Sequence, residues 1–201
     1  LPTVLGTTLA VTYAHQVGVS DTNDKTVSGA PVNTGRGIDV TMKINPSLGT
    51  EILSGLNLYA GGSNIEVYDN ANANEDKYEG VGAVTYALGP IEVGQMWSIM
   101  YDGDETNQDF HTYKNHGFGI AFNVNDDFSV SYGQYKSRKA YVEGSAAYIG
   151  EEDRVAEVTS WQAAYTMGGA SIRVADVKAE NALFSSANDQ TATIVSLGLA
   201  F

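Results

Sequence analysis

Apolar and polar residues alternate along most of the chain with a period of two, and no stretch sustains a helical period. The C-terminus shows it most clearly. Val195, Leu197, Leu199 and Phe201 occupy one parity, and Ser196, Gly198 and Ala200 the other. A pleated strand sends two such sets to opposite faces. The same reading fits Leu9, Val11 and Tyr13; Ile38, Val40, Met42 and Ile44; Phe118, Ile120, Phe122 and Val124; Phe128, Val130 and Tyr132; and Trp161, Ala163, Tyr165 and Met167. Weaker alternation predicts strands over 51–61, 79–88, 90–101 and 169–179. Over 90–101, Gln95 interrupts the apolar parity, and Met96 and Met100 fall on the other one. The pattern gives ten strands of about 9–12 residues, the length at which a tilted strand crosses a bilayer.

The predicted connections alternate in kind. Four are short and rich in turn residues: 45–49, 88–90, 124–127 and 167–169. Between them fall longer polar segments, about 18–36, 62–78, 102–111, 139–157 and 180–189, which carry most of the 24 acidic residues. Long loops therefore gather at one end of the sheet as an acidic rim, and tight turns at the other.

A soluble sandwich also alternates, but its outer face is rich in charge. Here the less apolar parity is mostly Gly, Ala, Ser, Thr, Asn and Gln, with a few charges: Asp39, Lys43, Glu92 and Arg173. That is the wall of a watery interior. The apolar parity carries Tyr13, Trp97, Tyr101, Phe128, Trp161, Tyr165 and Phe201, as an aromatic girdle does. The expected fold is all-β: an antiparallel transmembrane β-barrel closed without edges, because hydrocarbon offers no partner to a backbone N–H or C=O.

The terminal strand ending in Phe201 resembles the C-terminal strand of bacterial outer-membrane proteins. The segments 1–13 and Tyr165–Val174 resemble strands of alphaproteobacterial general porins. The resemblance implies an outer-membrane location amid lipid and lipopolysaccharide. It also implies a homotrimer, and a barrel-assembly machinery that reads Val195, Leu197, Leu199 and Phe201. Those porins have sixteen strands and a long inward-folded constriction loop. This chain shows ten strands and no stretch that reads as such a loop. The expectation is one barrel domain over residues 1–201, the C-terminal portion of a longer porin barrel; a complete ten-stranded barrel fits the strand directions equally.

Composition narrows the chemistry. Eleven Lys and Arg against 24 Asp and Glu give a formal charge of −13, which excludes the cationic surface of a nucleic-acid binder. Cysteine is absent from the sequence, so disulfides, thiolate metal sites and a catalytic thiol are excluded. His15, His111 and His116 show no metal-ligand spacing. No cofactor is expected, although the acidic loops (Asp69, Glu75, Asp76, Asp102, Asp104 and Glu151–Asp153) are candidates for Ca²⁺.

A charge facing lipid at the midplane costs about 2–4 kcal/mol, so Lys43 and Arg173 should face an interior. With Asp39, Asn57, Glu92, Asn123, Tyr135 and Gln162 they are the candidate pore lining. Asp176 and Lys178 share the parity of Ile172 and Val174, so they should lie beyond the lipid belt or follow a bulge. The favoured function is a porin with no catalytic step, passing small hydrophilic solutes with a weak cation preference. Two alternatives are a small closed barrel acting as receptor, adhesin or anchor through its loops, and an outer-membrane hydrolase built on Asp102 and His111.

Overall fold

The computed structural model describes residues 6–15, 33–46, 51–68, 76–101, 112–140, 154–186 and 188–199. The protein is all-β. Ten strands form one antiparallel sheet in strict chain order: β1 (Thr7–Ala14), β2 (Asn33–Ile44), β3 (Leu56–Tyr68), β4 (Lys77–Leu88), β5 (Ile91–Tyr101), β6 (Thr112–Asn123), β7 (Phe128–Ala140), β8 (Arg154–Met167), β9 (Ala170–Glu180) and β10 (Gln190–Leu199). A helical turn, α1 (Glu51–Ser54), precedes β3, and a 3-10 turn (Ala182–Phe184) precedes β10. β1 and β10 end the strand order, and among the described residues no pairing joins them.

The tight turns follow from their residues. Gly89 and Gly168 each have φ of 58° and open two-residue hairpins. After Gly89, the Pro90 ring holds φ near −65°, the sign pattern of a type II′ turn. Between β6 and β7, the Asn125 Oδ1 accepts hydrogen bonds from the N–H groups of Asp127 and Phe128, at 2.9 and 2.8 Å. The fourth short turn is longer than the alternation suggested. The expected strand over 51–61 starts only at Leu56, because residues 51–54 are helical.

Elsewhere strands outrun the expectation. β3 continues to Tyr68, β7 to Ala140, and β8 begins at Arg154. Glu66 and Glu157 thus belong to strands rather than loops. The register is regular across β8, β9 and β10, so no bulge displaces Asp176 or Lys178. Among the described pairings one shift occurs, between Thr34 and Gly37, and there Arg36 meets Glu66 at 3.2 Å.

Cross-strand pairing assembles two continuous faces. Val11, Val40, Val84, Ile120, Tyr132, Trp161, Val174 and Val195 share one; Thr12, Asp39, Ser98, Ser131, Gln162, Arg173 and Ser196 share the other. No dry nucleus lies on either. Val40 is 41% exposed, Ile120 39% and Leu199 56%; among the described residues only Gly35 and Gly37 are buried. On β6 the apolar Phe118, Ile120 and Phe122 are exposed, while Gly117, Gly119 and Ala121 of the polar face are half-buried. Large side chains stay exposed on a convex surface, where they diverge. Small ones become half-covered on a concave one. The sheet therefore curls toward its polar face.

The apolar band also drifts. A line across the hydrogen bonds from Ile44, at the turn end of β2, passes Leu58, Val84, Gln95, Phe118, Gln134, Thr159 and Lys178, and reaches Thr191. Thr191 lies at the loop end of β10, which runs on to Leu199. The line begins apolar and ends polar. Staying within the apolar band requires moving toward the turns by about one residue per strand. With about 3.3 Å per residue and about 4.8 Å between strands, that stagger corresponds to a strand tilt of about 35°. This is the shear that closing a sheet into a barrel requires.

Replacing Gly89 by Ala tests the turn. A Cβ there meets nothing within 4 Å, so only the left-handed backbone is penalised. Gly89→Ala is expected to lower unfolding stability in urea by about 1 kcal/mol. Gly82→Ala, equally open but without a positive φ, serves as the control and changes stability by less than half of that amount.

Candidate functional site

The concave polar face holds all eight side chains expected to line an interior. Asp39 and Lys43 come from β2, Asn57 from β3, Glu92 from β5, Asn123 from β6, Tyr135 from β7, Gln162 from β8 and Arg173 from β9. The register puts each on the same side of the sheet. They are spread across the wall rather than gathered at one point.

Local contacts hold several in place. The Lys43 Nζ sits 5.4 Å from the centre of the Tyr59 ring. Asn45 donates to the Asn57 Oδ1 at 3.1 Å, and Asn57 donates to the Thr85 Oγ1 at 3.5 Å. Gln162 donates to the Ser160 Oγ at 3.3 Å. Gln162 and Arg173 share a cleft with Ser129, Ser131 and Ser196. Asp39 lines a second with Thr12, Ser63, Glu79 and Ser98. The alternation had left out Glu79, Ser98 and Asn115, yet Asn115 donates to the Ser98 Oγ at 3.0 Å on this face. Tyr135 lines a third cleft with Met96, Val158 and Ser160. Met96 had looked misplaced on its strand; it lies on the polar face beside Tyr135.

Gln95 interrupts the apolar parity for a local reason. Its Nε2 lies 2.7 Å from the Nε2 of His116 on β6, and the His116 ring lies 5.6 Å from that of Trp97. Farther toward the loop end, the convex face is polar. Lys136 pairs with Glu157 at 3.1 Å, Gln134 also reaches Glu157, Lys178 pairs with Glu180, and Thr193 donates to Asp176 at 3.3 Å. Asp176 and Lys178 thus sit beyond the drifting band, as its tilt requires.

One connection turns back over the concave face, although no segment of the sequence read as an inward-folded loop. Phe184 reaches past β8 to stack on Tyr113 of β6, with ring centres 5.8 Å apart. Lys139 of β7 lies 5.8 Å from the Tyr113 ring and 5.7 Å from the Phe184 ring. Asn181, Leu183 and Phe184 all have positive φ, between 51° and 59°. Hydrogen bonds hold this backbone: Ala182 N–H to the Asn188 carbonyl at 2.8 Å, Asn181 N–H to the Asp189 carboxylate at 3.0 Å, and the Asn181 side chain to the Val155 carbonyl at 3.1 Å.

No protein-family model matches the chain, and no curated protein matches it. What the polar face can do therefore rests on its own chemistry. Among the described residues no three His, Asp or Glu side chains gather as a metal site requires. Asp102, Asp104, His111, Asp69, Glu75 and Glu151–Asp153, considered for hydrolysis or Ca²⁺, lie outside the described residues, as does Phe201. Asp76 is described and accepts a hydrogen bond from Asn64 at 3.2 Å.

Phe184→Ala removes the ring that pins the inward connection. We expect faster hydrogen exchange at the Ala182 and Asn188 amides and a stability loss of about 1 kcal/mol. Unchanged exchange would show that the hydrogen bonds alone hold it.

Proposed function

We propose that this chain builds the wall of an outer-membrane β-barrel that passes small hydrophilic solutes by passive diffusion. One observation carries the reading. A broad convex apolar face lies exposed, and its band follows a tilt of about 35°, within the working range of membrane barrels. Water penalises such a surface, whereas acyl chains suit it. The two free edges then need partners, β1 meeting β10 or further strands of the same barrel, because an unpaired backbone group in hydrocarbon costs several kcal/mol.

The inner wall supports a channel rather than a filled core. Gly, Ala, Ser and Thr leave space, and Lys43, Arg173, Asp39 and Glu92 supply water-compatible charge. The inward connection at Phe184 narrows one side of the mouth. The outer-membrane location, the homotrimer and the reading of the β10 pattern by an assembly machinery belong to this proposal through the porin resemblance. Catalysis is not part of it.

Conductance in planar bilayers tests the proposal. The acidic rim concentrates cations, so open channels should prefer K⁺ over Cl⁻ weakly. The preference should fall toward unity between about 0.1 M and about 1 M salt, as the screening length drops from about 10 to about 3 Å. Lys43→Gln with Arg173→Gln should strengthen the preference, and Asp39→Asn with Glu92→Gln should weaken it. Absence of channels, or selectivity for chloride that these changes leave untouched, would overturn the reading.

A further inference from the structure

The apolar band of the convex face is not equally tall on every strand. On β5 it runs the whole of Ile91–Tyr101, 11 residues, broken only by Gln95. β4 matches it, with Leu88 opposite Ile91 and Tyr78 opposite Tyr101. At about 3.3 Å per residue and a tilt of about 35°, that is about 27 Å along a barrel axis. Membrane barrels carry an apolar band of about 25 Å. On β7 the outward residues Phe128, Val130 and Tyr132 give way to Gln134 and Lys136. On β8 the run from Met167 to Trp161 gives way to Thr159 and Glu157, and on β9 Ile172 and Val174 give way to Asp176 and Lys178. Those runs span only about 11–16 Å. Tilt displaces a band but does not shorten it. The turn-side ends keep the stagger, so the missing height lies on the loop side.

Gln134, Lys136, Glu157, Thr159, Asp176 and Lys178 therefore face outward at the depth where exposed Trp97 and Ile99 do so on β5. Hydrocarbon that reaches Ile99 would meet charge on β7–β9, which it penalises. The patch pairs internally: Lys136 with Glu157 at 3.1 Å, Lys178 with Glu180, and Thr193 donating to Asp176 at 3.3 Å. Lys136 and Lys178 stay 44% and 53% exposed all the same. Both signs lie side by side here, in a chain whose charge of −13 makes copies repel elsewhere. A second copy can set its lysines against the carboxylates of the first. An anionic headgroup would meet Glu157, Asp176 and Glu180 along with the lysines. We propose that the loop-side half of the outward surface of β7–β9 is a contact between two copies of this protein within the membrane, a conclusion that rests on the membrane reading above. The second copy takes the charged groups out of lipid, and the hydrocarbon keeps its full thickness around β4 and β5. The porin resemblance implies a homotrimer without saying which strands touch; the short band marks them.

The test uses the intact protein, labelled at its N-terminal amine with donor or acceptor dye, in phosphatidylcholine vesicles at low protein-to-lipid ratio. Energy transfer between copies should show association. Lys136→Glu with Lys178→Glu should weaken it roughly tenfold, and so should Glu157→Lys with Asp176→Lys, because each makes the patch one sign. Mixing those two variants should restore it to within about threefold of wild type. If either variant fails to recover its strand content, cross-linking decides the matter. The sequence has no cysteine, so Thr159→Cys adds a single thiol on the patch, and Ile99→Cys one at the same depth on β5. A flexible bismaleimide should link copies about fivefold more at 159 than at 99. Absence of energy transfer, folded charge-reversed variants that associate as wild type does, or equal linking at the two thiols overturns the contact. Insertion is scored separately, by protection from protease. A protein that inserts as single copies loses the contact and keeps the barrel; one that never inserts loses both.

Discussion

The ladder of backbone hydrogen bonds between neighbouring strands governs every other feature of this molecule. It satisfies the main chain without help from side chains, and it commits each side chain to one of two faces. Nine consecutive antiparallel pairings propagate that commitment from Thr7 to Leu199. A slip of one residue at any of them would exchange the faces of the strands beyond. Val40 and Asp39 can therefore be neighbours in sequence and still belong to different surfaces.

Direction across the ladder matters as much as parity. Hydrogen bonds run at right angles to the strands, but the apolar band does not follow them. It slips toward the tight turns strand by strand, which explains features that look like errors on single strands. Gln134, Thr159 and Lys178 occupy the outward face because their row has already left the band. The same tilt brings Lys114, Lys136 and Arg138 to the border between apolar and polar surface.

The sequence made the faces legible because parity is exact in a strand and one face is apolar. All eight polar residues singled out from alternation, from Asp39 to Arg173, share one surface. Strand ends were legible only where the faces differ. Around Lys114–Asn115 and Lys136–Lys139 both faces are polar, so the period of two leaves no trace in hydropathy. The stagger was hidden for another reason: parity names a face but not a height along it. The inward connection was hidden because it depends on Asn181, Leu183 and Phe184 adopting a left-handed backbone, which nothing local demands of Leu or Phe. Tertiary hydrogen bonds and the Tyr113 ring impose it.

The most direct test is a spin-label scan of β6 from Gly117 to Phe122 in lipid vesicles, comparing collisions with oxygen, which concentrates in hydrocarbon, and with a water-soluble nickel chelate. The account predicts strict alternation, with labels at Phe118, Ile120 and Phe122 favouring oxygen and those at Gly117, Gly119 and Ala121 favouring the chelate. Alternation of the opposite phase, or protection of the apolar positions from both reagents, would mean that the apolar face packs against protein, and the account would fail.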